Sequence, residues 1–193
     1  MPRIRLLSGE QGREFVLNYE QEKLYLGSAP PLLHGMAVLM LDTGLRVGEA
    51  IHLEWPDVHL EPAAGADLGY LKVRARHSKN SKPRNIPLTA RAVELLESLG
   101  PHKAGYVFHR SHGEPVYQTW LNQQHSELRT LLKLPAEMVP HSFRHTYGTR
   151  LGEAGADAFT IMRLMGHSSV TVSRKYVHPT PETVERGCSG WRR

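Results

Sequence analysis

Five side chains in this 193-residue sequence have the types and spacing for a single reaction. His141-Ser142-Phe143-Arg144-His145-Thr146, then Leu164-Met165-Gly166-His167, then Tyr176 lie close together toward the C-terminal end. Far upstream, Thr43-Gly44-Leu45-Arg46-Val47-Gly48-Glu49 supplies a second arginine. An arginine grips phosphate oxygens through a planar fork of N–H donors and stays charged. A histidine moves protons near neutral pH. A tyrosine hydroxyl can attack phosphorus and form a covalent intermediate. Its free pKa lies near 10, so it needs cations and a proton acceptor beside it. Arg46, His141, Arg144, His167 and Tyr176 therefore spell phosphoryl transfer to tyrosine.

Each residue also has a plainer explanation. Arg46 can pair with Glu49 one helical turn on. Tyr176 is one of seven tyrosines, and only its spacing from His167 singles it out. His141 and His145 stand four apart, as a helical metal pair would, but no third ligand and no HExxH glutamate accompany them. No metal or other cofactor is called for.

The composition bounds the rest. Lys and Arg number 24 against 19 Asp and Glu, a net charge of +5 that permits a polyanionic partner without demanding one. An apolar content of 40% suits a globular domain rather than a disordered chain. The lone Cys188 makes no internal disulfide and suits a reducing cytoplasm. The first residues lack the apolar stretch of a signal peptide, and the longest apolar segment, near residues 32–41, is too short to span a bilayer. A cytoplasmic protein without a membrane partner is the expectation.

The elements that must position these residues follow from periodicity and punctuation. Residues 10–30 carry a helical stripe, and Pro30-Pro31 opens a second helix through Leu41. Asp42-Thr43-Gly44 stops it, and a short helix spans about 46–53 before Pro56. Residues 58–60, 70–74 and 84–88 read as strands joined by turn-rich connectors, hence a three-stranded antiparallel sheet. Helices follow over about 90–99 with Thr89 as cap, 119–132, 141–153, 159–165 and 169–176. The fold class is mixed α+β, mainly helical, in one domain over 1–193, with 177–193 as a tail.

These blocks resemble the catalytic domain of the tyrosine recombinases, the phage-integrase family. TGLRVGE, SKNSKPRNIPL, HSFRHT, LMGH and Tyr176 occur in that family's order over about two-thirds of the chain. The resemblance implies the DNA breaking-and-rejoining fold and site-specific cleavage of duplex DNA through a 3′-phosphotyrosine link. It assigns the phosphate clamp to Arg46 and Arg144 and the nucleophile to Tyr176. His141 becomes a general acid/base near the nucleophile, and His167 a donor to a non-bridging oxygen. Lys79, in the basic turn before the third strand, would protonate the leaving 5′-oxygen, with Lys82 the competing choice. Glu49 has a supporting, orienting role, and His145 is a packing and hydrogen-bonding neighbour of the arginine. Arg74, Lys82, Arg84, Arg174 and Lys175 would line the DNA-facing side.

The family also implies a tetramer on DNA and a monomer without it, and bacterial or phage origin. It implies an N-terminal DNA-binding domain that this sequence does not display. Two alternatives share the same residues: a DNA-binding regulatory module without turnover, and a type IB topoisomerase.

Overall fold

The structure is a computed structural model and describes residues 15–74, 83–100 and 104–177. Its centre is helix α2, Pro31–Thr43, in which every residue from Gly35 to Thr43 is buried. A helix apolar on all sides belongs in the middle of a domain. Helices α1 (Tyr19–Ser28), α4 (Ala90–Ser98), α5 (Gln118–Leu131) and α6 (His141–Glu153) pack around it. Leu33, Met36, Leu39, Met40, Leu96, Phe108 and Phe143 form the heart of the core. Each such side chain, fully buried, contributes about 1.5–3 kcal/mol.

Strands β1 (Val58–His59), β2 (Tyr70–Val73) and β3 (Arg84–Pro87) form the expected antiparallel sheet in the order β1-β2-β3. Leu71 faces Val58 on one side and Ile86 on the other. Burial alternates along β3, so Arg84 and Ile86 point inward while Asn85 and Pro87 point out. Helix α3 (Val47–Ile51) follows α2, and α7 (Ala158–Met165) and α8 (Val170–Ser173) follow α6. A last 3-10 turn spans Arg174–Tyr176. Ile161, Met165 and Tyr176 form a second, smaller apolar cluster at the end of α6.

Some boundaries depart from the sequence reading. Among the described residues the first helix begins at Tyr19, and Phe15 to Asn18 lie outside it, because Asn18 and Gln21 form a reciprocal capping box. Upstream of that cap Leu17 is buried, and its N–H donates to Thr146 Oγ1 of α6 at 2.9 Å. The segment expected as one helix over 169–176 is instead α8 followed by the 3-10 turn. Lys79 and Lys82 lie outside the described residues, as do 178–193 of the expected tail. No helix among the described residues is long and apolar enough to cross a membrane.

Candidate active site

Arg46 owes its position to the end of α2. Gly44 adopts a left-handed conformation (φ 62°), donates its N–H to Met40 O and turns the chain sharply. A Cβ there would lie 2.3 Å from the Tyr147 ring, so glycine is required on both counts. Two residues on, Arg46 caps α3, and Glu49 Oε2 accepts its backbone N–H at 2.8 Å. The side chain then doubles the link: Arg46 Nη1 donates to Glu49 Oε1 at 2.9 Å.

Glu49 is almost fully buried and holds a second arginine. Arg84 Nη1 and Nη2 reach its two oxygens at 2.9 and 2.8 Å. Burial by itself would raise this carboxyl's pKa. The hydrogen bonds and charges of Arg84, then Arg46, outweigh that and hold it below its ordinary value.

The helix end at α7 gathers the arginines. Arg84 Nε donates to Leu164 O at 2.8 Å, Arg144 Nη2 to Met165 O at 2.5 Å and Arg46 Nη2 to Gly166 O at 2.8 Å. Three guanidinium groups thus take three successive carbonyls where a helix presents its unpaired acceptors and negative dipole end. Gly166 is left-handed (φ 64°) and ends the helix. A Cβ on it would meet the Arg84 guanidinium at 2.8 Å. Arg144 also donates from Nη1 to Gly44 O at 2.5 Å, tying the two glycine turns together. Only two of its five N–H donors are used in this way. Burial, then repulsion from Arg46, pull Arg144 down to about 9, and it remains charged at neutral pH.

Helix α6 carries the histidines. His141, at its first turn, lines an open cavity of about 350 Å³ together with Arg46, Gly48, Gln118 and Asn122. The residue is exposed, and its ring meets the His145 ring edge to face at 4.8 Å between centroids. Partial burial, then His145, Arg144, Arg46 and Lys175, lower His141 to about 4. His167 follows the Gly166 turn, pairs through Nδ1 with Ser173 Oγ at 2.7 Å, and is lowered to about 3 by burial and then by Arg144 and Arg46. Both rings are therefore neutral at pH 7.

Tyr176 is 5% exposed. Its hydroxyl meets His145 Nδ1 at 2.8 Å, its ring lies parallel to His167 at 6.2 Å, and Lys175 Nζ stands 4.9 Å from its centroid. Glycines on α6 make this docking possible. A Cβ on Gly148 would stand 2.9 Å from the Tyr176 ring, and one on Gly152 would stand 1.7 Å from its carbonyl oxygen.

The structure thus brings Arg46, Glu49, His141, Arg144, His145, His167, Lys175 and Tyr176 into one contiguous site. The order and family of these parts match a known pattern: residues 16–183 match the phage integrase family. The chain belongs to the phage integrase family. It is 28% identical over 182 residues to the tyrosine recombinase XerC of Pediococcus pentosaceus, covering 88% of this chain and 58% of that protein. It is 29% identical over 154 residues to the tyrosine recombinase XerD of Halalkalibacterium halodurans, covering 75% and 48%. The chain spans about half the length of the curated relatives it matches.

Among solved structures, the Tn1549 transposon integrase in complex with transposon right end DNA shares the fold. The TM-score is 0.75 at 21% identity, covering 95% of this chain and 67% of that one. The XerH site-specific recombinase bound to its difH substrate gives a TM-score of 0.68 at 25% identity, covering 92% and 54%. The phage integrase catalytic fold is therefore the fold of this chain.

Two expectations need correction. Arg84 is not on an exposed basic face: its three guanidinium nitrogens bond Glu49 and Leu164, and its side chain is buried. Its alternation with Ile86 along a short strand was the available signal. Arg74 is held by Asp57 at 2.6 Å and Glu54 at 2.9 Å, so its guanidinium is already engaged at the surface. His145 carries a hydrogen bond to the tyrosine hydroxyl at 2.8 Å, a partner that the sequence did not indicate. Arg174 is exposed beside Tyr176.

Proposed function

We propose that this chain is the catalytic domain of a site-specific DNA recombinase that cuts one strand with Tyr176 and reseals a strand in its place. The observation that carries the reading is the docking of Tyr176 between His145 and His167, beside the carbonyls that hold Arg46 and Arg144. A nucleophile, two fixed cations and two neutral imidazoles stand close together, with Arg46 and His141 on an open cavity.

In the reaction, Tyr176 Oη attacks the scissile phosphorus and the bond to O5′ breaks. Negative charge grows on the non-bridging oxygens, where Arg46 and Arg144 lower the barrier by fixed electrostatics rather than by rearrangement. Arg84 and Glu49 hold Arg46 in place and so act as positioning residues. His167 donates a neutral N–H to a non-bridging oxygen. His141, which lines the cavity, serves as general acid/base near the nucleophile, and Lys79 supplies a proton to O5′. The phosphodiester persists as a phosphotyrosine, so rejoining needs neither nucleotide nor metal. Lys175 and Arg174 flank the nucleophile and contact the DNA backbone, a salt-dependent contribution. The substrate is duplex DNA, further protomers join in a tetramer on it, and the site of action is the bacterial cytoplasm.

The test is a nicked duplex that loses the 5′-hydroxyl fragment after cleavage, which traps the covalent adduct. Wild-type protein retains labelled DNA through denaturation, and Tyr176→Phe does not. Arg144→Ala slows adduct formation by about 10²–10³, the loss of one preorganised donor to a developing oxyanion. Failure of the wild type to trap DNA refutes the reading.

A further inference from the structure

We infer that Ser173 is a positioning residue for cleavage: its buried hydroxyl donates to His167 Nδ1 and so fixes the tautomer that offers Nε2–H to the phosphate. This rests on the cleavage reading above.

A neutral imidazole has one N–H and one lone pair, and the bond made by one nitrogen decides what the other can do. His167 is neutral at pH 7, so its tautomer and direction decide whether it can serve a non-bridging oxygen. Its backbone is fixed at the end of α7, where its N–H donates to Met162 O at 3.0 Å. Among the described residues its side chain makes one hydrogen bond, the 2.7 Å contact between Nδ1 and Ser173 Oγ.

Burial sets the direction of that bond. Ser173 is 0% exposed, and Oγ has no other hydrogen-bond partner among the described residues. A helical hydroxyl commonly turns back to the carbonyl four residues earlier, as Thr43, Thr130 and Thr146 do here. The Ser173 hydroxyl reaches across to His167 instead. With the hydrogen on Nδ1, the serine proton would be left buried without an acceptor, at the full cost of its desolvation. With the hydroxyl donating, that proton is satisfied and the imidazole hydrogen must sit on Nε2. Nε2 has no protein partner among the described residues, so its N–H is kept for the substrate.

The place of Ser173 in the chain links this bond to the nucleophile. Ser169 caps α8 by accepting the Thr171 N–H at 3.1 Å, and Ser173 is the last residue of that helix. Tyr176 follows three residues later in the 3-10 turn, packs with Ile161 and Met165, and lies parallel to the His167 ring with 13° between planes. The segment that brings in the tyrosine therefore also carries the hydroxyl that sets His167.

The experiment joins a spectrum to a rate. In protein carrying isotope-labelled histidine, nitrogen NMR separates Nε2–H from Nδ1–H, and His167→Phe identifies the His167 signals by their loss. Wild-type protein is expected to show Nε2–H alone, and Ser173→Ala, which removes one buried oxygen and adds no volume, to show both tautomers. The rate is single-turnover adduct formation on a labelled nicked-duplex library of randomised sequence. Ser173→Ala is expected to slow it by about tenfold, the scale on which a metal-bound histidine suffers when its outer hydrogen-bond partner is removed. In a His167→Phe background the same substitution should change nothing further, because its whole effect passes through the imidazole.

Nδ1–H at His167 in the wild type overturns the assignment. So does Ser173→Ala cleaving within about twofold of wild type, or a loss that persists at full size in the His167→Phe background, where Ser173 would be acting on the fold alone. Wild-type protein that forms no adduct overturns the cleavage reading itself, whereas the spectrum needs no DNA and passes or fails separately.

Discussion

Gly152 tests whether the docked tyrosine segment is the working arrangement. The residue lies in the last turn of α6 and the chain at Tyr176 passes over it. A Cβ built there falls 1.7 Å from the Tyr176 carbonyl oxygen, whereas real Cβ contacts begin near 3.0 Å. The shortfall, 3.0 Å less 1.7 Å, is 1.3 Å, and the obstacle is backbone on both sides, so no rotamer change relieves it. In Gly152→Ala the 174–177 segment must shift by at least that distance. A misplacement of about 1 Å between reacting groups costs on the order of 100-fold in rate. Cleavage should therefore fall about 100-fold while the fold survives. The main core contains no residue of the displaced segment. Alanine also favours the helix over glycine by about 1 kcal/mol, which offsets part of the lost docking. Gly27→Ala is the matched control, since nothing stands within 4 Å of its Cβ. Adduct trapping beside urea denaturation reads both quantities. Near wild-type cleavage by Gly152→Ala would refute the docking argument.

Other expectations follow from the arginine cluster. Glu49→Gln keeps the shape but turns amide donors toward guanidinium donors, leaving Arg46 and Arg84 without their shared carboxylate. Breaking such a buried pair costs about 3–5 kcal/mol in denaturant unfolding. Glu49 has a folded pKa below 4.5, so its contribution is complete above that value and is lost as pH falls beneath it. The stability gap between wild type and Glu49→Gln should therefore close on acidification below pH 4.5, and a pH-independent gap would contradict the pairing. Arg84→Lys loses the bidentate grip on Glu49 and should slow cleavage while leaving the salt dependence of DNA binding unchanged. A shallower salt slope would mean that Arg84 touches phosphate after all. His141 and His167, at about 4 and 3 in the free chain, should titrate well below an ordinary histidine by NMR. Both should move upward when the DNA phosphate enters, because an anion favours the charged ring.

Much of the fold was legible because its signals are local. Pro30-Pro31, the apolar run after it and Gly44 bound α2; Thr89 accepts the Ala92 N–H and starts α4 where expected. The three short strands and their turn residues gave the sheet with its register set by alternation. The first helix was overextended because the apolar stripe continues through Phe15 and Val16, whereas the Asn18 cap cuts it off. The grouping of the site was legible too, since Arg46, His141, Arg144, His167 and Tyr176, singled out by type and spacing, stand near one another.

Partner choice was not legible. Arg84 and Arg74 are both basic residues at strand ends, yet one closes a buried carboxylate and the other a surface pair. His145 and His141 share a helix and a residue type, yet one meets the nucleophile and the other the cavity. Sequence by itself determined the reactive groups, the helices that carry them and the glycines that turn the chain, because each depends on side-chain chemistry or a few neighbouring dihedrals. Tertiary structure alone decided which imidazole faces the tyrosine and which arginines share Glu49. Those outcomes depend on how α3, β3, α6 and α7 converge on three consecutive carbonyls, a juxtaposition of segments up to 120 residues apart.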